Sequence, residues 1–304
     1  MLQFLKHQPR AETRSETKYK TNDGLGPVHE LPKRLRSRDC SPQTDSNLEL
    51  SVVVPAYNEK ARLGKMLDEA VVFLEQHYQG KYEIVISDDA SHDGTGDFAL
   101  GEATRLRLAP HVLKVVTLVE NRGKGGAVAH GILHGGGKYL LFADADGATK
   151  FSDVTKLLAH MEGQDKGPAV AIGSRAHMIN SDAVVKRSFI RNLMMYALHT
   201  LVFVFGIRDI QDTQCGFKMF NRESASMILP HMHTERWIFD VEILLLAELQ
   251  KIPIVEIPVN WQEVDGSKVD LAKDSIQMAV DLVVTRMAYM IGIYGIDECG
   301  HLRR

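Results

Sequence analysis

Tyr139-Leu140-Leu141-Phe142-Ala143-Asp144-Ala145-Asp146-Gly147 is an apolar run that ends abruptly in two carboxylates one residue apart. A run of this length, closed by turn-forming residues, reads as a buried strand. Asp144 and Asp146 are two apart, so near a strand end their side chains fall on the same side. Two like charges converging there repel each other, and a divalent cation between them and an anionic ligand relieves that repulsion. On these nine residues alone, a solvated loop with an ordinary Asp-Gly turn explains the pattern equally well.

Outward from this stretch, strands and helices alternate. Leu50-Ser51-Val52-Val53-Val54-Pro55 is β-branched and does not alternate, as expected of a strand buried on both faces. Leu63, Met66, Leu67, Ala70, Val71 and Leu74 lie on one face of a helix predicted over 62–77. Tyr82-Glu83-Ile84-Val85-Ile86 is a second strand, Phe98 to Arg107 a helix, Leu113 to Leu118 a third strand, and a further helix runs to about His134. This order predicts an α/β open sheet, parallel in this part, with helices on both faces. Such sheets bind ligands beyond the carboxyl ends of their strands. Tyr57-Asn58-Glu59, Asp88-Asp89, the loop Asn121-Arg122-Gly123-Lys124-Gly125-Gly126 and Asp144/Asp146 all fall at such ends. Together they make an acid-rich crevice with a glycine-rich rim.

The 304 residues allow a sizeable core, and 44% hydrophobic with 25% charged residues is ordinary for a globular protein. A formal net charge of −3 argues against nucleic-acid binding. Cys40, Cys215 and Cys299 are far apart and odd in number, which argues against a disulfide framework or a zinc site and fits a reducing compartment. No run reaches the roughly 18–20 apolar residues that span a bilayer, and the first residues are too short in apolar length for a signal peptide. Residues 1–48 are polar and charged and are expected to be disordered or loosely attached, with Lys33-Arg34-Leu35-Arg36-Ser37-Arg38 either a solvated basic tail or a contact to anionic lipid.

The loop at 121–126 lets backbone N–H groups approach a phosphate, beside Lys124 and Arg122. It has neither the spacing of a P-loop nor the position of a dinucleotide fingerprint. A nucleotide diphosphate held through a metal at Asp144 and Asp146 remains, with Asp88 or Asp89 accepting hydrogen bonds from base or ribose.

Val53-Val54-Pro55-Ala56-Tyr57-Asn58-Glu59, Asp88-Asp89-Ala90-Ser91-His92-Asp93-Gly94-Thr95, Asn121-Arg122-Gly123-Lys124-Gly125 and Asp144-Ala145-Asp146-Gly147 resemble, in order, the motifs of the inverting GT-A glycosyltransferases of family 2. Gly173-Ser174-Arg175-Ala176-His177, Asp212-Thr213-Gln214-Cys215-Gly216-Phe217-Lys218, Glu235 to Glu242 and Gly266-Ser267-Lys268 are similar to the members that glucosylate dolichyl phosphate. The resemblance implies a GT-A fold with a mostly parallel central sheet, and glucose transfer from UDP-glucose to dolichyl phosphate with inversion. GDP-mannose as donor, or a non-catalytic nucleotide-sugar or lipid-phosphate binding protein, are the alternatives.

It further implies Mg2+ or Mn2+ on Asp144 and Asp146, and donor contacts from Pro55, Tyr57, Glu59, Asp88, Asp89, Lys124, Gly125, Asp144 and Ala145. Asp146 and Asp212 are the catalytic candidates, Asp212 as an acceptor-positioning group. Arg175, Arg187, Arg191 and Lys268 are cations for the acceptor phosphate. Glu235 to Glu242 would place the sugar, with Trp237 equally a core residue. His130, His134, His160, His199, His231 and His233 show no ligand spacing of note, and Cys215 has no basic neighbour that marks a nucleophile.

The implied setting is the cytosolic face of the endoplasmic reticulum membrane. Members of this family normally carry an N-terminal transmembrane helix, and none is visible here. Residues 193–207 and a C-terminal helix from Ile276 are expected either to lie in the membrane interface or to pack on the sheet. The domain reading is therefore a loose segment over 1–48, a catalytic unit over 49–265, and a loop with an amphipathic helix over 266–304.

Overall fold

In the central strand β3 (Leu50–Ala56) every residue is buried, which is why its sequence does not alternate. Val52 and Val54 face one apolar layer and Val53 the other. The computed structural model describes residues 7–24, 26, 29–36, 47–163, 167–178, 210–264 and 271–295. A two-residue hairpin, β1 (Lys18–Tyr19) and β2 (His29–Glu30), precedes β3. Then follow α1 (Lys60–Tyr78), β4 (Tyr82–Asp88), α2 (Thr95–Arg105), β5 (Leu113–Thr117), α3 (Lys124–Leu133) and β6 (Tyr139–Ala143). After these come α4 (Val154–Glu162), β7 (Val170–Ser174), β8 (Phe217–Asn221), α5 (Arg222–Ile228), α6 (Phe239–Leu249), β9 (Ile254–Pro258) and α7 (Leu271–Met290).

Seven strands form one sheet in the order β5-β4-β3-β6-β8-β7-β9. Only β8 runs antiparallel to its neighbours, so the sheet is mostly parallel as expected. Leu63, Met66, Leu67, Ala70, Val71 and Leu74 of α1 join α2 and α4 on one face. On the other face, Val128 and Ile132 of α3 pack with Phe239 and Ile243 of α6. Strand order reverses at β3, which leads to β4 on one side and β6 on the other. Their carboxyl ends therefore open the crevice at the switch point of the sheet.

The amino-terminal residues depart from expectation. Residues 7–24 and 29–36 are built onto the domain rather than loose. Lys20 and Val115 exchange backbone hydrogen bonds of 2.9 Å, and Thr21 Oγ1 donates to Leu113 O at 3.0 Å. Tyr19, Leu31 and Leu35 enter the core layer that contains α3. Leu35 sits inside the basic cluster of the sequence, and its N–H donates to Leu133 O at 2.8 Å. Composition misleads here because three separated apolar residues, with no period, are enough to anchor a segment whose other bonds are polar. Glu16 is fully buried and accepts from Thr13 N at 2.7 Å, Val119 N at 3.0 Å and the Arg10 guanidinium.

Beneath Tyr19 lies a buried ion pair. Lys114 Nζ meets Glu83 Oε2 at 2.5 Å, while Glu83 Oε1 accepts from Ser51 Oγ at 2.5 Å and Gly136 N at 2.6 Å. Lys114 Nζ also lies 5.2 Å from the centre of the Tyr19 ring. Tyr19→Ala should lower unfolding free energy by roughly 2–4 kcal/mol in urea titrations, as for loss of a core aromatic. A loosely attached segment would instead give a change within about 0.5 kcal/mol.

Candidate active site

The register Ala56↔Asp88 between β3 and β4 puts the ends of these strands side by side. Pro55 is buried within β3, and Tyr57 stands exposed just beyond it. Glu59 receives two bonds from Arg62, Nε to Oε2 at 2.7 Å and Nη2 to Oε1 at 2.6 Å. A fork-on-carboxylate pair one turn apart orients both groups. Arg62 Nη1 also lies 4.0 Å from Asp146 Oδ2, so it links Glu59 to the acidic pair.

Asp144 meets Lys124 Nζ at 2.6 Å. Its N–H donates to Gly216 O at 3.0 Å, and a β-carbon at residue 216 would lie 1.9 Å from Asp144 Oδ2. Only glycine admits the carboxylate there. Ala145 is buried, and Asp146 Oδ1 accepts from Ala148 N at 3.0 Å. Burial and the adjacent Asp144 charge push the Asp146 carboxyl above its ordinary range, against the pull of Arg62 and Lys124. Burial opposes the charge on Lys124, but Asp144, Asp240 and Asp146 outweigh it and raise the ammonium above its usual value.

The residues fit a hard divalent cation. They offer two carboxylates at a crevice mouth, close enough that Asp144 raises the Asp146 carboxyl, and added positive charge there relieves their repulsion. Mg2+ and Mn2+ sites commonly use one or two carboxylates and complete the shell with substrate phosphates and water. Among the described residues, no third acidic or imidazole group joins Asp144 and Asp146 in a ready cluster.

Behind the pair, Lys218 is completely buried and its Nζ contacts Asp240 Oδ1 and Cys215 O, each at 2.5 Å. Burial holds the Asp240 carboxyl above its usual range even against Lys218 and Lys124. Cys215 is buried and its thiol is pushed up to about 12, which removes it as a nucleophile.

The glycine-rich rim is held by Asp89. Its Oδ1 accepts from Arg122 N at 2.7 Å and its Oδ2 from Gly123 N at 2.8 Å. Gly123 has φ +88, and a β-carbon there would lie 2.6 Å from Glu235 O. Gly125 abuts Phe239 at the start of α6. Arg122 donates to Glu235 through Nε at 2.8 Å and through Nη2. Thus Arg122 and Asp89 fix the shape of the loop in this structure, and Glu235 closes it from the other side. Asp88 is buried and accepts from Ser91 N at 3.1 Å, and burial raises its carboxyl.

Asp212 and Arg175 lock together. Arg175 N and Nε donate to Asp212 Oδ2 at 2.8 and 2.7 Å, and Nη2 donates to Oδ1 at 2.8 Å. Burial favours the neutral acid, yet the Arg175 bonds win and hold the Asp212 carboxyl below its ordinary range. Glu256 Oε1 accepts Asp212 N at 2.8 Å, and Arg175 lies 5.4 Å from the Trp261 ring centre. Arg187, Arg191, Lys268 and the apolar stretch 193–207 lie outside the described residues.

Trp237 packs against Ile238, Val241, Met278 and Leu282. Glu242 is buried and binds the backbone of His233 and Thr234 and the Tyr289 hydroxyl, the last at 3.0 Å. It braces α6 rather than facing the crevice. The sequence reading passed over Arg62, whose only signal was its place one turn after Glu59, and Lys218, whose signal was a lysine inside an apolar strand.

The profile of "Glycosyl transferase family 2" matches residues 51–229. A dolichyl-phosphate beta-glucosyltransferase of Saccharomyces cerevisiae is 51% identical over 303 residues, covering 97% of this chain and 90% of that protein. The Homo sapiens dolichyl-phosphate beta-glucosyltransferase is 44% identical over 257 residues, covering 82% of this chain and 78% of that one. The crystal structure of glucosyl-3-phosphoglycerate synthase from Mycobacterium tuberculosis, in complex with Mn2+ and UDP-glucose, superposes with a TM-score of 0.52 at 17% identity, covering 79% of each chain. At that identity the likeness bears on the fold, which is the expected GT-A arrangement.

Burial, the larger effect, raises Asp89 to about 6 in spite of its two N–H donors and Arg122. Its folded value lies above its unfolded one, so the folded chain holds the extra proton between about pH 4 and 6. Stability from this group should fall as pH rises through that window and be flat above it. In urea unfolding at pH 4.5, 5.5 and 6.5, Asp89→Asn should remove that slope, a differential on the order of 2 kcal/mol. Parallel curves for the two proteins would refute the assignment.

Proposed function

The chain belongs to glycosyl transferase family 2, and on that premise we propose that it moves glucose from UDP-glucose to dolichyl phosphate with inversion at the anomeric carbon. The observation that carries this reading is similarity along 97% of the chain to a dolichyl-phosphate beta-glucosyltransferase. The acid pair at the switch point supports it.

Mg2+ or Mn2+ on Asp144 and Asp146, when bound, would stabilise the charge that develops on the departing diphosphate. Lys124, beside the same carboxylate, adds a fixed positive charge on the protein side. The rim held by Asp89 presents Gly125 and its neighbours to the diphosphate. Asp88 accepts from base or ribose, and the exposed Tyr57 offers a ring face. Pro55 and Ala145 set the backbone on either side, and Glu59 is oriented by Arg62.

The acceptor is a phosphate monoester with a second pKa of about 6, so near neutral pH it is mostly a dianion. Its oxygen forms the new bond to the anomeric carbon as the bond to UDP breaks, and UDP leaves from the opposite face. No strong base is required. That matches an Asp212 carboxylate held ionised by Arg175, which makes it a poor proton acceptor but a rigid positioning group. Arg175, Arg187, Arg191 and Lys268 are assigned to the acceptor phosphate.

We assign residues 49–265 to the catalytic unit and 266–304 to a segment that meets the membrane at the cytosolic face of the endoplasmic reticulum. No helix among the described residues is long and apolar enough to cross a bilayer. Helix α7 buries Met278, Leu282 and Ala288 against the protein and leaves Ile276, Val280, Met290 and, just beyond the helix, Ile291 exposed. Exposed apolar residues at helical spacing suit an interfacial position beside a lipid acceptor.

Purified protein given dolichyl phosphate should transfer label from UDP-glucose and not from GDP-mannose, and EDTA should abolish transfer. Label from GDP-mannose alone would overturn the donor assignment. Asp146→Asn should lose roughly 100-fold or more in kcat, with thermal unfolding close to that of the parent. Near-parental turnover would count against the cation role. In liposome flotation the parent should float, and Ile276→Asp/Met290→Asp should sink.

A further inference from the structure

The sequence suggested neither a zinc site nor any histidine spacing of note, yet two of the histidines converge on a carboxylate away from the crevice. His130 and His134 stand four apart at the end of α3, and both rings are buried. Glu12, from the amino-terminal segment, lies over them with its side chain 23% exposed. One ligand atom from each falls within 4.8 Å of the others.

The outer ring nitrogens fix one hydrogen on each ring. His130 Nε2 is 2.9 Å from Glu16 O, and His134 Nδ1 is 2.8 Å from Pro32 O. A carbonyl oxygen only accepts, so each of these nitrogens carries a hydrogen. In neutral rings, the lone pairs then sit on His130 Nδ1 and His134 Nε2. Those two atoms lie 3.8 and 3.2 Å from the same oxygen, Glu12 Oε2. Two lone pairs aimed at a carboxylate repel unless a proton or a metal ion stands among them.

We propose that Glu12, His130 and His134 bind one divalent transition-metal ion, zinc foremost, which clasps the amino-terminal segment to α3. Three nitrogen and oxygen ligands with a place left for water form a recognised zinc arrangement. Bonds of about 2.0–2.1 Å in tetrahedral geometry put ligand atoms about 3.3 Å apart, close to the 3.2 Å between His134 and Glu12 and shorter than the 3.8 Å between His130 and Glu12. A backbone carbonyl on the second ring nitrogen is the orientation that metal-ligating histidines adopt. The partly exposed carboxylate gives the ion a way in. Arg34 Nη1 lies 3.3 Å from the same oxygen, so it shares that carboxylate with an ion bound there.

The rival arrangement is an imidazolium at His134 paired with Glu12, with no metal. Full-length protein is stripped with a chelator, dialysed, and titrated with Zn2+ against a chromophoric competitor. Mass spectrometry of metals and Co2+ absorption are read in parallel. The expected result is one Zn2+ per chain with Kd below about 1 µM, a visible Co2+ ligand-field band, and a raised Tm. His134→Gln and Glu12→Gln should each weaken binding at least about 100-fold, while Asp146→Asn should leave it intact. Absence of stoichiometric binding, or binding that survives both substitutions, would overturn the proposal. So would a Tm that does not respond to Zn2+ in the parent protein.

Discussion

Asp144 and Asp146 leave β6 side by side, and the surrounding structure is an answer to their mutual repulsion. Lys124 arrives from the start of α3 and meets Asp144 at 2.6 Å. Arg62 arrives from α1 and stands 4.0 Å from Asp146. Lys218 and Asp240 form a buried pair behind them, close enough for Asp240 to act on Lys124. Each compensating charge is borne on a different element, so the acid pair ties together both helical layers and β8. A buried charge that loses its partner is costly, commonly about 3–5 kcal/mol. The packing of the elements and the electrostatics of the crevice are therefore one problem.

The same logic runs through the neighbouring loops. Asp89 holds two consecutive N–H groups of the rim, and Glu235 holds Arg122. Asp212 and Arg175 hold each other through three bonds. A crevice that handles an anionic donor and an anionic acceptor needs groups whose positions do not relax when charge moves. Fixed dipoles and paired ions supply that preorganisation.

Much of this was legible in the sequence. The unbroken Val52-Val53-Val54 run and the spacing of Leu63, Met66, Leu67, Ala70, Val71 and Leu74 announced a strand buried on both faces and a helix face. The positions of the polar clusters at strand ends followed from the topology. What was not legible is pairing across distance. Nothing local says that Lys124 faces Asp144, that Asp89 serves the rim, or that Arg175 meets Asp212 across 37 positions. Nor does composition reveal that Tyr19, Leu31 and Leu35 are buried, because an anchoring residue without a period carries no pattern. Helix ends shifted too: α2 starts at Thr95 rather than Phe98, since Gly94, at φ +82, ends the preceding turn there.

Strand β5 is the outermost strand at one side of the sheet. Its outward N–H and C=O groups would otherwise be free to pair with any extended chain, the usual route to edge-to-edge aggregation. Lys20 occupies that rim at Val115, and Thr21 covers Leu113. The amino-terminal segment thus covers part of this edge as well as packing on the core. A chain begun at Leu50 would keep the crevice residues and lose this cover on its edge strand. It would also uncover the Lys114–Glu83 pair beneath Tyr19. For this molecule, the shortest piece that contains the crevice residues is not the shortest piece with a covered sheet edge.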